Sequence, residues 1–130
     1  MILDTSFLID LMKHDSNALD RLRKSVKINE PQLITSISIF ELFSGIQQSS
    51  KTEQEKKKIR KVLKDQIVVP LDEKAAEKAG EIHGKLIKLG KRIESGDCLI
   101  AGIAITKKQK LLTRNIKHFS RIDGLEIDEY

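Results

Sequence analysis

Ile2-Leu3-Asp4-Thr5-Ser6-Phe7-Leu8-Ile9-Asp10-Leu11-Met12 begins with two apolar residues, turns abruptly to an acid, and continues with apolar positions at helical spacing. Ile2-Leu3 reads as a brief buried strand that ends near Asp4. Phe7, Leu8, Leu11 and Met12 recur at steps that place them on one helical face. A strand that passes straight into a helix sets Asp4 at the strand's carboxyl end.

The same grammar repeats along the chain. Ser16 to Lys24 predicts a second helix with Leu19, Leu22 and Val26 facing inward. Pro31 breaks it from a second strand, Leu33-Ile34-Thr35. Ser36 or Ser38 caps a third helix through Phe40, Leu42, Phe43 and Ile46, ended by Ser49-Ser50. Residues 51–64 predict a charged helix with Ile59, Val62 and Leu63 as its inward stripe. Ile67-Val68-Val69 is a β-branched strand closed by Pro70. Asp72 caps a long helix with Ala75, Ala79, Ile82, Leu86 and Leu89 on its apolar face, and Gly90 stops it. Ser95 caps a further helix through Leu99, Ile100, Ile103 and Ala104. Leu111-Leu112-Thr113 is a fourth strand, Asn115 opens a turn or short helix, and Leu125-Glu126-Ile127 is the last strand.

Short apolar strands alternating with helices imply a mainly parallel sheet covered on both faces, in one domain spanning residues 1–130. Ligands in such folds bind at the carboxyl ends of the strands, where strand order reverses.

Composition narrows the function classes. With aromatics at 4% and no Trp, the core must be mostly Ile, Leu, Val and Ala. Cys98 is alone, which excludes an intramolecular disulfide. No basic leader precedes an apolar stretch, and no apolar run approaches the ~20 residues of a membrane span. The expectation is a cytoplasmic protein with no membrane. A net charge of +5 mildly favours a polyanionic partner, although Lys-rich surfaces also serve ion-pair networks.

Three acids stand out, each with an ordinary alternative. Asp4 either caps the helix that follows it or serves a site at the sheet edge. Glu41 lies inside Ile37-Ser38-Ile39-Phe40-Glu41-Leu42-Phe43, a run apolar enough to be largely buried. It is either a solvent-facing acid or a half-buried carboxylate that needs a cation. Asp97 either favours its helix dipole or, with Ile100, Ala101 and Ala104 on its stripe, faces the sheet and needs a partner.

Around them, Ser6 either orients Asp4 or caps a helix. Glu94 is a supporting ligand of Asp97 or a surface acid. Thr113 and Asn115 hold a metal-bound water or form a turn. His14, His83 and His118 show no metal-ligand spacing and read as surface or core residues. No phosphate-cradling glycine loop is present. Carboxylates brought close together repel unless a cation neutralises them. Oxygen-only ligands with open positions suit Mg²⁺ or Mn²⁺, and such an ion can activate water for phosphodiester hydrolysis.

Asp4-Thr5-Ser6-Phe7-Leu8-Ile9-Asp10 resembles the opening of PIN domains. So do Ser38-Ile39-Phe40-Glu41-Leu42, the stretch from Gly90 through Asp97-Cys98-Leu99-Ile100-Ala101, and Leu111-Leu112-Thr113-Arg114-Asn115 with Phe119. The similarity runs through nearly the whole chain in order, and the compact length is similar to VapC toxins of toxin–antitoxin pairs. The resemblance implies a three-layer α/β/α sandwich and Mg²⁺- or Mn²⁺-dependent endoribonuclease activity, with Asp4, Glu41 and Asp97 at the metal-binding acids. It also implies a homodimer, RNA as substrate and a VapB-like antitoxin as partner. The family often has a fourth acid near Thr-Arg-Asn. Here Asn115 and His118 stand there, which favours one tightly held ion and keeps a non-catalytic RNA- or protein-binding module as the rival. A phosphatase of the haloacid dehalogenase type would need an Asp at position 6, which is Ser.

Residues 51–64 carry seven Lys or Arg against two Glu, so this helix is expected to add nonspecific affinity for RNA rather than to hold the site. Changing Lys57, Lys58 and Lys61 together to Gln should weaken RNA binding modestly and flatten its salt dependence, with cleavage retained. Loss of cleavage in a folded variant would move the site onto this helix.

Overall fold

A computed structural model describes all residues 1–130. The order is β1 Ile2–Leu3, α1 Thr5–Met12, α2 Ser16–Lys27, β2 Leu33–Thr35, α3 Ser36–Ile46, α4 Thr52–Leu63, β3 Ile67–Val69, α5 Glu73–Lys88, α6 Ser95–Thr106, β4 Leu111–Leu112, α7 Ile116–Phe119 and β5 Ile127–Asp128. The strands form one five-stranded sheet in the order β3-β2-β1-β4-β5, with every pairing parallel. Ile2 aligns with Leu33 on one side and Leu111 on the other. Strand order therefore reverses at β1, between β2 and β4.

Successive residues of a strand point to opposite faces, and β1 and β4 divide their side chains accordingly. Ile2 and Leu111 join one apolar core with Ala75, Ile82 and Leu86 of α5, Ile100, Ala101 and Ala104 of α6, and Phe119 of α7. Leu3 and Leu112 join the other with Phe7 and Leu8 of α1, Ala18 of α2, Leu42 and Ile46 of α3, and Ile59 of α4. The result is the expected three-layer α/β/α sandwich. No helix is long and apolar enough to cross a membrane.

Several local expectations change. Val26 is 66% exposed, because the inward face of α2 runs through Ala18 and Ser25, and Ser25 is held by Arg21 and Glu30. The run around Glu41 is only partly buried. Ser38 and Leu42 face inward, while Phe40 is 69% exposed on the opposite side of α3. Thr35, rather than Ser36 or Ser38, caps α3 by accepting from the Ser38 amide, and the helix ends at Ile46, before Ser49-Ser50. Glu94, not Ser95, is the first flanking residue of α6, and its side chain makes no cap hydrogen bond. Leu89 is exposed just past the end of α5, and the last strand lies at Ile127–Asp128. Asp72 caps α5 as expected, and Gly90 takes a φ of +68° just beyond it.

The helix pair α5–α6 is packed backbone to backbone at Gly102. A Cβ there would lie 2.5 Å from the Ala75 carbonyl oxygen and 2.9 Å from both the amide nitrogen and the Cβ of Ala79. Neither helix backbone can yield without separating the pair. Gly102→Ala is therefore expected to lower stability by about 1–3 kcal/mol despite its better helix propensity, as read from denaturant midpoints.

Candidate active site

Asp4 follows β1 at the point where strand order reverses. It occupies the N-cap position of α1, yet its side chain makes no cap hydrogen bond. Instead Oδ2 accepts from Ser6 Oγ at 2.8 Å and from Thr113 Oγ1 at 2.7 Å. Asp4 is almost wholly buried at 3% exposure, and Oδ1 has no protein donor. The side chain bonds hydroxyls rather than the amides of the helix it precedes, so helix capping does not account for it.

Thr113 follows β4 directly and is fully buried. Its hydroxyl donates to Asp4 and accepts from the Asn115 amide at 2.9 Å, so the turn after β4 is tied to the acid after β1. These are the adjacent carboxyl ends at the switch point, because Leu3 pairs with Leu112.

Glu41 enters from α3. Thr5 Oγ1, at the start of α1, donates to Glu41 Oε1 at 2.8 Å and hydrogen-bonds the buried Ser38 Oγ at 2.9 Å. The other carboxylate oxygen lies over the start of α6, where a Cβ on Gly96 would come within 2.9 Å of it. A side chain at 96 would make the Glu41 carboxylate shift from this position. Asp97 itself projects from the first turn of α6 with 16% side-chain exposure, and neither of its oxygens has a hydrogen-bond donor. Its nearest basic nitrogen is His118 Nδ1, 3.9 Å away, and that atom lies 3.1 Å from Asn115 Nδ2.

The electrostatics record how close the acids are. Burial, followed by the charges of Asp4, Glu41 and Glu94, pushes the Asp97 carboxyl up to about 7. Glu41 is raised by burial, pulled back by the Thr5 hydrogen bond and raised again by the charge of Asp4. Asp4, Glu41 and Asp97 therefore share one space at the carboxyl edge of the sheet. No trio of Asp, Glu, His or Cys is drawn in closely enough to cage a metal ion without movement or intervening water. The donor chemistry nevertheless fits a hard divalent cation: all three groups supply oxygen, each keeps at least one oxygen without a protein donor, and they repel one another.

Of the other expected residues, Ser6 and Thr113 both bind Asp4. Asn115 lies beside them and engages Thr113 through its backbone and His118 through its side chain. Glu94 is exposed and reaches Asp97 through its charge alone. Sequence reasoning assigned no role to Thr5, whose hydroxyl holds Glu41; it read His118 as a surface or core residue from histidine spacing, while the resemblance set His118 with Asn115 at the fourth position, and the structure places it 3.9 Å from Asp97. It also passed over Asp10, which is buried and accepts from Arg114 and Tyr130. The available signal was an acid within the apolar stripe Phe7, Leu8 and Leu11. The largest cleft, about 430 Å³ between α5 and the segment after α7, is lined by Lys78, Lys85, Leu86 and Arg121 and lies away from all three acids.

A family model described as PIN domain matches residues 1–125. The chain is 32% identical over 130 residues to "Ribonuclease VapC2" of Rickettsia felis, covering 99% of this chain and 96% of that protein. It is 28% identical over 130 residues to "tRNA(fMet)-specific endonuclease VapC" of Salmonella typhimurium, covering 99% and 96% of the two chains. Among solved structures, the crystal structure of VapBC2 from Rickettsia felis bound to a DNA fragment from its promoter superposes with a TM-score of 0.90 at 31% identity, covering 99% of this chain and 97% of that one.

The folded protein holds a proton on Asp97 that the unfolded chain releases near the ordinary carboxylate pKa, so stability should fall as pH rises from about 4 to about 7 and stay low above that window. Asp97→Asn removes this dependence. In chelator, the variant should melt above wild type at about pH 8, with the gap closing towards about pH 4. Thermal melts across this range check it, and parallel curves for the two proteins would assign the burden to another group.

Proposed function

The chain belongs to the PIN domain family, and on that premise we propose that it is a divalent-metal-dependent endoribonuclease, the toxin of a VapBC-type toxin–antitoxin pair. The observation that carries the metal site is the uncompensated negative charge shared by Asp4, Glu41 and Asp97. Mg²⁺ or Mn²⁺ keeps several of its waters and needs few protein ligands, which suits carboxylates that face a common space without closing on one point. Once bound, such an ion would supply Lewis acidity and lower the pKa of a water.

The chain's own residues set the geometry. Ser6 and Thr113 fix one oxygen of Asp4 and leave the other free for the ion. Thr5 does the same for Glu41. Asp97, with no donor of its own, is the acid most dependent on a cation to become ionised at neutral pH, and as a carboxylate it would hold the ion with Asp4 and Glu41 and offer its other oxygen to a water proton. Asn115, held by Thr113, is placed to hydrogen-bond a water or a phosphate oxygen. Hydrolysis then adds water across a phosphodiester P–O bond, with hydroxide to phosphorus and a proton to the leaving oxygen. Asn115 and His118, where an acid is common, support a single ion.

RNA is the substrate class, supported by the ribonuclease and tRNA endonuclease relatives. The expected partner is a VapB-like antitoxin, since the structural neighbour is a VapBC assembly. An apolar groove between α1, α3 and α4, lined by Ile9, Met12, Leu42 and Ile46 with Glu41 at its edge, offers such a partner a surface beside the site. The chain acts as one domain over residues 1–130, in the cytoplasm and as a homodimer. Because the fourth position is not acidic, a non-catalytic RNA-binding module is the second reading.

RNA cleavage by purified protein should require Mg²⁺ or Mn²⁺ and vanish in chelator. Asp4→Asn or Asp97→Asn should lower the rate by at least about a hundredfold while the fold is kept. Full cleavage by either variant, or wild-type cleavage that survives chelation, would rule out this mechanism. Metal-independent RNA binding without cleavage would favour the second reading.

A further inference from the structure

A second polar network lies beside the acids and is not explained by them. Asp10, on the last full turn of α1, is 4% exposed. Both of its oxygens accept from Arg114 Nη1 at 2.8 Å, and Oδ2 also accepts from Tyr130 Oη at 2.7 Å. The Tyr130 ring packs edge-on against Phe7, centroids 4.7 Å apart, so the phenol is anchored in the core under α1. Ser6, which donates to Asp4, also adjoins the Tyr130 oxygen.

Arg114 stands between Thr113 and Asn115, the residue that binds Asp4 and the residue that faces His118. Its guanidinium spends a single nitrogen on Asp10. Nη2 and Nε make no protein hydrogen bond, and the side chain is 55% exposed. An Arg that served only to neutralise a buried Asp would gain more from the two-nitrogen fork than from one shared nitrogen. Here the unused edge of the fork is left open to solvent. Carboxylates repel a polyanion unless a cation stands nearby, and Arg114 is a cation held in place between Thr113, which binds Asp4, and Asn115.

We propose that Arg114 grips an RNA phosphate at the rim of the acidic pocket, and that buried Asp10 and the Tyr130 hydroxyl are its positioning groups. The inference rests on the reading of the chain as an RNA-cleaving protein. Fixing the guanidinium in advance removes the rotamer freedom that a free Arg would lose on binding. It also aims the planar fork, which a lysine at this position would lack. Tyr130 contributes a second donor to Asp10 Oδ2, which helps keep the carboxylate on the guanidinium.

The test is RNA affinity in chelator, followed by fluorescence anisotropy of a labelled single-stranded RNA oligonucleotide of mixed sequence across a salt series. Arg114→Gln should weaken binding at low salt by at least about tenfold. The slope of log affinity against log salt should shrink by about 0.7, one phosphate contact to a single strand. Tyr130→Phe keeps the ring on Phe7 and removes only the hydroxyl. It should weaken binding by a smaller factor with the wild-type salt slope, because the Arg114 charge remains. In the Arg114→Gln background the same change should have no further effect, the non-additivity expected of groups acting through one another. Equal affinity and slope for Arg114→Gln and wild type, or a Tyr130→Phe effect of the same size in both backgrounds, would overturn the proposal. Wild-type cleavage with Mg²⁺ or Mn²⁺, measured alongside, separates the two readings. Cleavage with an unchanged Arg114→Gln affinity sinks this inference alone. Absent cleavage with an Arg114-dependent salt slope sinks the nuclease reading and leaves the phosphate contact standing.

Discussion

Ile2 and Leu3 point to opposite faces of the sheet, and each is a member of a separate apolar core. The strand that holds them is only two residues long and is central, paired to β2 on one side and β4 on the other. A strand this short gains little from its own ladder, so its position is fixed by the side chains on its two faces and by both neighbours. Leu111 and Leu112 repeat the division on β4. The next residue after each pair, Asp4 and Thr113, is thereby brought to the same edge, where the two side chains meet at 2.7 Å. Ser6 and Asn115 join that meeting point, the first on Asp4 and the second on Thr113.

The site is an arrangement of hydroxyls around acids. Ser6 and Thr113 hold Asp4, and Thr5 holds Glu41. A hydroxyl orients a carboxylate without neutralising it, whereas a Lys or Arg in the same place would quench the negative potential and displace a cation. Asp97 has no donor, and burial first, then the charges of the neighbouring acids, raise its carboxyl to about 7. The fold tolerates this because Asp97 can carry a proton when no cation is present, which avoids the larger penalty of a buried unpaired charge. Stability and function pull in opposite directions here, as expected where charge is concentrated for binding.

Positive charge is kept to the rim. Arg114 is bound to Asp10, an acid outside the trio, so that its cation lies near the pocket without entering it. Asp4, just before α1, and Asp10, within it, thus take different partners. Asp4 is left open on one oxygen, and Asp10 is closed by an Arg and a Tyr. One acid is available to a ligand and the other is spent on architecture.

The alternation of short apolar strands with amphipathic helices was legible in the sequence, because burial on both faces of a parallel sheet demands runs such as Ile2-Leu3, Ile67-Val68-Val69 and Leu111-Leu112. The placement of Asp4 at a strand end followed from the same pattern, as did the caps at Asp72 and Gly90, which depend on local backbone geometry alone. For Asp4, Glu41 and Asp97 the sequence supplied three acids at suspicious positions, each with an ordinary alternative. Only tertiary structure decided that Asp4 binds Thr113 instead of capping its helix, that the Glu41 carboxylate lies against Gly96 at the start of α6, and that Thr5 holds Glu41 across 36 residues of chain. The same holds for Asp10, Arg114 and Tyr130, which meet across more than 100 positions. Periodicity reports which face of an element is buried; it carries no information about which polar atom from a distant element lies opposite, because that depends on the packing of whole helices against the sheet.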